Sequence, residues 1–519
     1  MQPQLTPEGE LLVRGLAQAA SQPTSQPDGE KIHFNSVAGT LYFAYEQLRN
    51  IAEYTEQHLI LRATIERFLK RHMQFTEHPK KLGFELVEEL TQERYLQNDT
   101  ITQFTIDRID QYVEYYLNLQ RTLQNSPHRV TRDEMSRWTI QAASVTIEQL
   151  LTKPGTTAAF INFAYMHHRG TVDPHDFDVA DSEEYQAALY AATHRALIKS
   201  DLATTRAYYI AADPARSQSV DAFVKANRLM DTWFDAPLTL RLARLISKNG
   251  APLRIIHEVT LRAADGASLV QQPAQLSSHI SAVTEDEYRH THKRLVSSII
   301  RTLMFVFVTK ALIGLLIEVP YDIWQHGMIL MTPLLINMIF PPAYMATAIW
   351  AVKQPDRNNT EAIRQHIERI LYAGQKPLAY RIPKRGISKG LNVTFGIFYV
   401  LTYAASFGLA IWALWKLEFA PPHMFVFFLF FSAVSFFRFR LIQQSRELDV
   451  NDRRESVFES IGNFFYTPFI KLGEWLSSRY KKLNVITVIL DLIIEMPLKT
   501  TLRILQEWVR FMRDKREGF

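Results

Sequence analysis

Residues 391–417, LNVTFGIFYVLTYAASFGLAIWALWKL, constrain the chain most, because no charge interrupts them before Lys416. At 1.5 Å rise per residue, an uncharged helix of this length spans the roughly 30 Å hydrocarbon core of a bilayer. A buried helix in a large water-soluble domain is the alternative. A tyrosine near one end and Trp412 and Trp415 near the other match the aromatic belts of membrane surfaces and favour the bilayer. Three further apolar segments occupy residues 296–321, 327–352 and 424–441. Four crossings are the simplest count.

Loop charges orient these spans. The connections at 321–326 and 416–423 carry almost no Lys or Arg. Residues 353–390 carry Lys353, Arg357, Arg364, Arg369, Lys376, Arg381, Lys384, Arg385 and Lys389 against three acids, and Arg438, Arg440, Arg446, Arg453 and Arg454 follow the last span. The positive-inside tendency makes the 353–390 loop and the carboxyl-terminal tail cytoplasmic. An even number of spans returns the amino terminus to the same side. The opening MQPQLTPEGELLVRGLAQAASQ, with no basic segment ahead of a long apolar run, agrees, since it does not read as a secretory signal. The expected location is a prokaryotic plasma membrane with both termini inside.

The half before the spans is net acidic and the membrane half net basic, so the formal +5 belongs to the spans and their loops. That distribution suits contact with anionic lipid headgroups; no nucleic-acid partner is expected, because no basic recognition module is evident. With no cysteine, the chain has no disulfide, thiolate nucleophile or thiolate metal site.

The first half reads as helical. Residues 1–35 are expected to be a flexible amino-terminal segment with a short amphipathic start. Leu41, Ala44, Leu48, Ile51, Leu59, Leu61, Ile65 and Leu69 recur at spacings that place a stripe on one helix face. Further helices are expected over 82–97, 101–123, 131–152, 181–210 and 217–247. Thr131 with Glu134 has capping-box spacing, and Asp181 with Glu184 a similar one. Together 36–250 form a helical cytoplasmic domain. Residues 251–295 read as a linker, with 251–270 either a helix or a short hairpin around Asp265-Gly266. His167-His168 with Asp173, His175, Asp176 and Asp178 raise a metal reading, but neighbouring residues on a helix face different ways and no HExxH pattern is present. No metal or cofactor is expected.

Candidate functional residues concentrate in the spans. Lys310 lies deep in the first, with Glu318 eight residues on, Asp322 after it and Arg301 nearer the entrance. An intramembrane ionised group marks a partner or a pathway. Eight residues amount to about 80° around an α-helix, so pairing of Lys310 across the bundle is expected rather than with Glu318 within its helix. Pro333, Pro341 and Pro342 interrupt the second span, beside the polar Asn337, and make it kinked or two-part. Residues 442–519 read as amphipathic basic helices, one at the interface near Pro468. Within them Asp491, Glu495 and Pro497 echo the Glu318-to-Pro320 pattern.

The chain is therefore expected to be an all-α, multi-pass membrane protein with a mainly helical soluble amino-terminal domain. An interaction or scaffold role, with a protein partner on that domain, is the first functional reading. A small transporter or channel using the intramembrane Lys, Glu and Asp residues is the second. An intramembrane enzyme would need a convergent polar site.

Overall fold

The computed structural model describes residues 4–21, 31–34, 59–73, 82–126, 130–152, 155–352, 355–373, 380, 389–450 and 466–478. Among them the chain is all-α. The helices are α1 (Pro7–Ser21), α2 (Ile60–Met73), α3 (Leu82–Gln92), α4 (Gln103–Gln124), α5 (Arg132–Leu151), α6 (Gly155–Thr171), α7 (Glu183–Leu197), α8 (Leu202–Ala211), α9 (Val220–Trp233) and α10 (Pro237–Asn249). Then come α11 (Ala251–Arg262), α12 (Gly266–Val270), α13 (Pro273–Ile313), α14 (Val319–His326), α15 (Met331–Ala351), α16 (Arg357–Leu371), α17 (Lys389–Lys416), α18 (Pro421–Ser445) and α19 (residues 466–478).

Caps set the helix boundaries in the soluble part. Thr131 and Glu134 form the expected reciprocal capping box at the start of α5. The 181–210 helix is two helices, because Asp201 caps α8 through the Thr204 N–H. Ser182, not Asp181, caps α7. The 217–247 helix is also divided, by the turn ahead of Pro237 in the first turn of α10, where a missing N–H costs nothing.

Among the described residues of the soluble part, two large apolar cores and a smaller one around Trp138 result. Ile65, Phe68, Leu69, Leu86, Leu90, Ile106, Ile109, Ile140 and Ile147 join α2 to α5. The larger core takes residues from α1, α6, α7, α10 to α13 and α16. Of the early stripe, Ile65 and Leu69 are buried here, while Leu41 to Ile51 lie outside the described residues.

At the level of whole segments, the structure revises two expectations and decides between the alternatives left for 251–270. Much of the supposedly flexible segment 1–35 is α1, which buries Leu12, Val13 and Leu16 against α6. Gly15 faces Ala159 at a distance that leaves no room for a β-carbon. Residues 251–270 form α11 and α12 rather than a hairpin, with Asp265 capping α12, and the supposed linker continues straight into α13. The 353–390 loop contains α16, whose Ile363, Ile367 and Leu371 are fully buried in the larger soluble core. Thr6 and Gln4 clip onto the end of α16, through Thr6 N–H to the Leu371 carbonyl at 2.9 Å and Ala373 N–H to the Gln4 carbonyl at 2.7 Å.

Among the described residues, three helices are long and apolar enough to cross a membrane: Pro273–His326, Met331–Trp350 and Pro421–Ser445. The apolar part of α17, Val400–Lys416, adds a shorter one. The first is one continuous 54-residue helix, about 80 Å long, so it carries the chain from the soluble core directly into the membrane. The second begins at Met331 and is unbroken: Pro333 sits in its first turn, and Pro341 and Pro342 lie inside without ending it. Helix α19 is packed on the bundle, with Phe469 against Phe407, Phe428 and Phe431 and Gly473 touching the Ser432 backbone of α18.

Asn359, buried in α16, ties the spans to the soluble core. Its Nδ2 donates to the Tyr288 hydroxyl and to the Leu448 carbonyl, both at 2.7 Å, and its Oδ1 accepts from Val450 N–H at 2.8 Å. Alongside, Arg254 donates to the carbonyls of Glu447 (2.6 Å) and Ala196 (2.9 Å). Asn359→Ala is expected to cost about 2–4 kcal/mol, since it strands several buried polar groups at once. Loss of resistance to limited proteolysis in the 440–450 segment, set against Asn359→Asp, measures it.

Candidate intramembrane polar site

Two backbone irregularities build the site. Pro320 has no N–H to offer the carbonyl four residues back, and Gly314, without a side chain, lies against Leu334. Between α13 and α14 the helix widens into a π turn, Gly314–Glu318. One α turn of about 3.6 residues plus one π turn holding roughly one residue more makes eight residues close to two whole turns. Glu318 is thereby rotated above Lys310. Their charges meet inside one helix at 3.3 Å, where pairing across the bundle was expected.

Both side chains are 1% exposed. The Lys310 ammonium also lies 4.8 Å from the centre of the Phe430 ring of α18. Glu318 Oε1 accepts a second hydrogen bond, 2.8 Å, from Asn337 Nδ2 of α15, which donates in turn to the His423 carbonyl of α18 at 3.1 Å. Glu318 Oε2 and Asn337 Oδ1 are buried with no hydrogen-bond partner among the described residues. Pro341 withholds the N–H that would otherwise reach the Asn337 carbonyl, so this point of α15 is rich in acceptors.

One turn further on, Asp322 Oδ2 accepts the Leu330 N–H at 3.0 Å and fastens the start of α15. Its Oδ1 lies 3.2 Å from His423 Nε2, without the alignment of a hydrogen bond. Asp322 and His423 are both fully buried, and His423 Nδ1 has no partner among the described residues. Glu318 and Asp322, at i,i+4, repel as like charges, and each acid turns to its own partner. A cation, two carboxylates, an imidazole and an amide from three helices thus form one sealed cluster.

Of the other residues singled out, Arg301 is exposed, nine residues before Lys310. Asp491, Glu495 and Pro497 lie outside the described residues. The sequence reading noted Asn337 only as polar and passed over His423. A histidine two residues behind a Pro-Pro helix start reads as an ordinary surface residue, and nothing local announces its burial. In the soluble part, His167 and His168 are buried on α6, while Asp173 caps the short turn Pro174–Phe177 that holds His175 and Asp176. Among the described residues, no group of three or more His, Cys, Asp or Glu is placed to hold a metal ion. Compared with known proteins, the chain matches no family model, no curated protein and no solved structure.

Proposed function

We propose that this multi-pass membrane protein moves a small ion through its bundle, with Lys310, Glu318, Asn337, Asp322 and His423 as the working residues. One observation carries this reading: five polar or ionisable side chains from three helices converge where an inert anchor would be apolar. Buried ionised groups in a bilayer are costly, and they characteristically mark ion and proton paths. The π turn that aligns Lys310 with Glu318 is likewise a device found frequently at functional sites. In this reading the bundle crosses a prokaryotic plasma membrane four times. The soluble domain, the basic 353–390 loop and both termini face the cytoplasm, next to anionic headgroups. The burial of α16 and Leu448 in the soluble core supports putting those pieces on one side.

The test is ion flux in vesicles reconstituted with the full chain. Lys310→Met/Glu318→Gln keeps the site neutral and is expected to fold, yet to lose at least about 10-fold in flux. Equal flux from this variant and the native chain, or none from the native chain above empty vesicles, overturns the proposal.

A second reading, a membrane-anchored interaction protein, has its own support. Phe104 and Tyr115 on α4 are 51% and 58% exposed and eleven residues apart, about 20° around the helix. Arg108 and Tyr112, joined at 2.8 Å, lie on the same side. Aromatic residues with arginine are the types that anchor protein interfaces. If that stripe holds a partner, Phe104→Ser/Tyr115→Ser loses it while flux is unchanged.

A further inference from the structure

The charges of the sealed cluster do not balance. Lys310 and Glu318 cancel, whether written as an ion pair or as two neutral groups. Asp322, fully buried beside His423, then leaves a net charge of −1 unless the Asp322–His423 pair holds one proton. A single Leu330 N–H is the hydrogen bond Asp322 accepts from the neighbouring helices. Aromatic rings lie against the imidazole: Tyr321 and Phe419 sit 6.1 Å and 6.3 Å from His423 between ring centres. His326 faces the far side of Tyr321 at 6.4 Å. An uncompensated charge enclosed in this way is strongly disfavoured.

We infer that the Asp322–His423 pair is a proton-binding site that carries one exchangeable proton, and that the ion handled by the bundle is the proton. The inference deepens the transport reading and rests on it for the role of the proton, though not for its presence. The proton arrives from hydronium and leaves water behind. It resides on the imidazole facing Asp322 Oδ1, or on that oxygen facing Nε2, and in either form the cluster is neutral. His423 Nδ1, enclosed with no partner among the described residues, gives the imidazole a second nitrogen through which a proton can pass. Asn337 Nδ2 donates to both the His423 carbonyl and Glu318 Oε1, which holds Glu318 beside the pair.

The experiment is solid-state NMR of the full chain in lipid bilayers at neutral pH, with 15N-labelled histidine and 13C-labelled aspartate. His423→Gln and Asp322→Asn assign the two signals by their loss. The expected result is an imidazolium at His423 or a protonated carboxyl at Asp322, one proton for the pair. If His423 turns neutral in Asp322→Asn, the balance argument is confirmed directly. A neutral imidazole together with an ionised Asp322 in the native chain overturns the inference. A protonated pair in a protein without flux would retain the site and sink only the transport reading.

Discussion

Lys310→Met is expected to destabilise the bundle by about 3–5 kcal/mol, because it leaves the Glu318 carboxylate enclosed without its counter-charge. Glu318→Gln should do comparable damage by stranding the ammonium. The double variant should return to within about 1–2 kcal/mol of the native chain, since breaking a buried pair costs far more than replacing it. Thermal unfolding in detergent micelles, read alongside abundance in the membrane, measures all three. Additive losses in the double variant would show that the two groups do not act as a pair. The π turn adds a geometric control. Deleting one residue between Gly314 and Glu318 turns it into an α turn and leaves the charges seven residues apart, still about two turns. That deletion should be far milder than either charge substitution.

Acid should unfold the soluble domain steeply. Burial holds His167 and His257 down at about 4 and His194 at about 3, and pushes His168 well below its ordinary 6.5. All four are packed among aromatic rings: His257 stacks on Phe160 at 4.4 Å, His194 lies 4.9 Å from Tyr190, and His167 and His168 flank Tyr380. The unfolded chain takes up these protons near pH 6.5 and the folded chain does not, so stability is intact above that value and falls as pH drops toward 4. Glu148, raised by burial to about 7, works in the opposite sense between 7 and 4.5. Four histidines against one glutamate leave a net loss of about 3–4 kcal/mol per pH unit near pH 5.5. Urea unfolding followed by tryptophan fluorescence at pH 7.5, 6 and 5.5 should show it. His257→Phe should reduce the slope by roughly a third.

The sequence made the class of the molecule legible because long uncharged runs and amphipathic stripes are local signals. It also exposed Lys310 and Glu318, since a charge in an apolar run stands out. How they pair was hidden. The phase of a helix changes at a π turn, and Gly314 and Pro320 do not announce one singly. Helix α16 was concealed for another reason: its charges advertised a loop, although Ile363, Ile367 and Leu371 already formed a buried stripe. Asn359 and His423 depend wholly on tertiary partners from distant segments, which no window of sequence contains. The breaks at Asp201 and Pro237 were visible as cap and proline signals, but continuous apolar periodicity outweighed them.

The placement of α16 has a consequence for biosynthesis. The core around Tyr288 lacks its last pieces, Ile363 to Leu371 and then Leu448, until the ribosome has made them and the intervening spans have been inserted. At about 5–20 residues per second, the 83 residues from Tyr288 to Leu371 take roughly 4–17 s. During that interval the nascent soluble domain exposes the groove that α16 will fill. A chain in which one of the two intervening spans fails to insert delivers α16 to the opposite side of the bilayer, and its groove stays open. Docking of α16 into the soluble core therefore requires an even number of crossings between them.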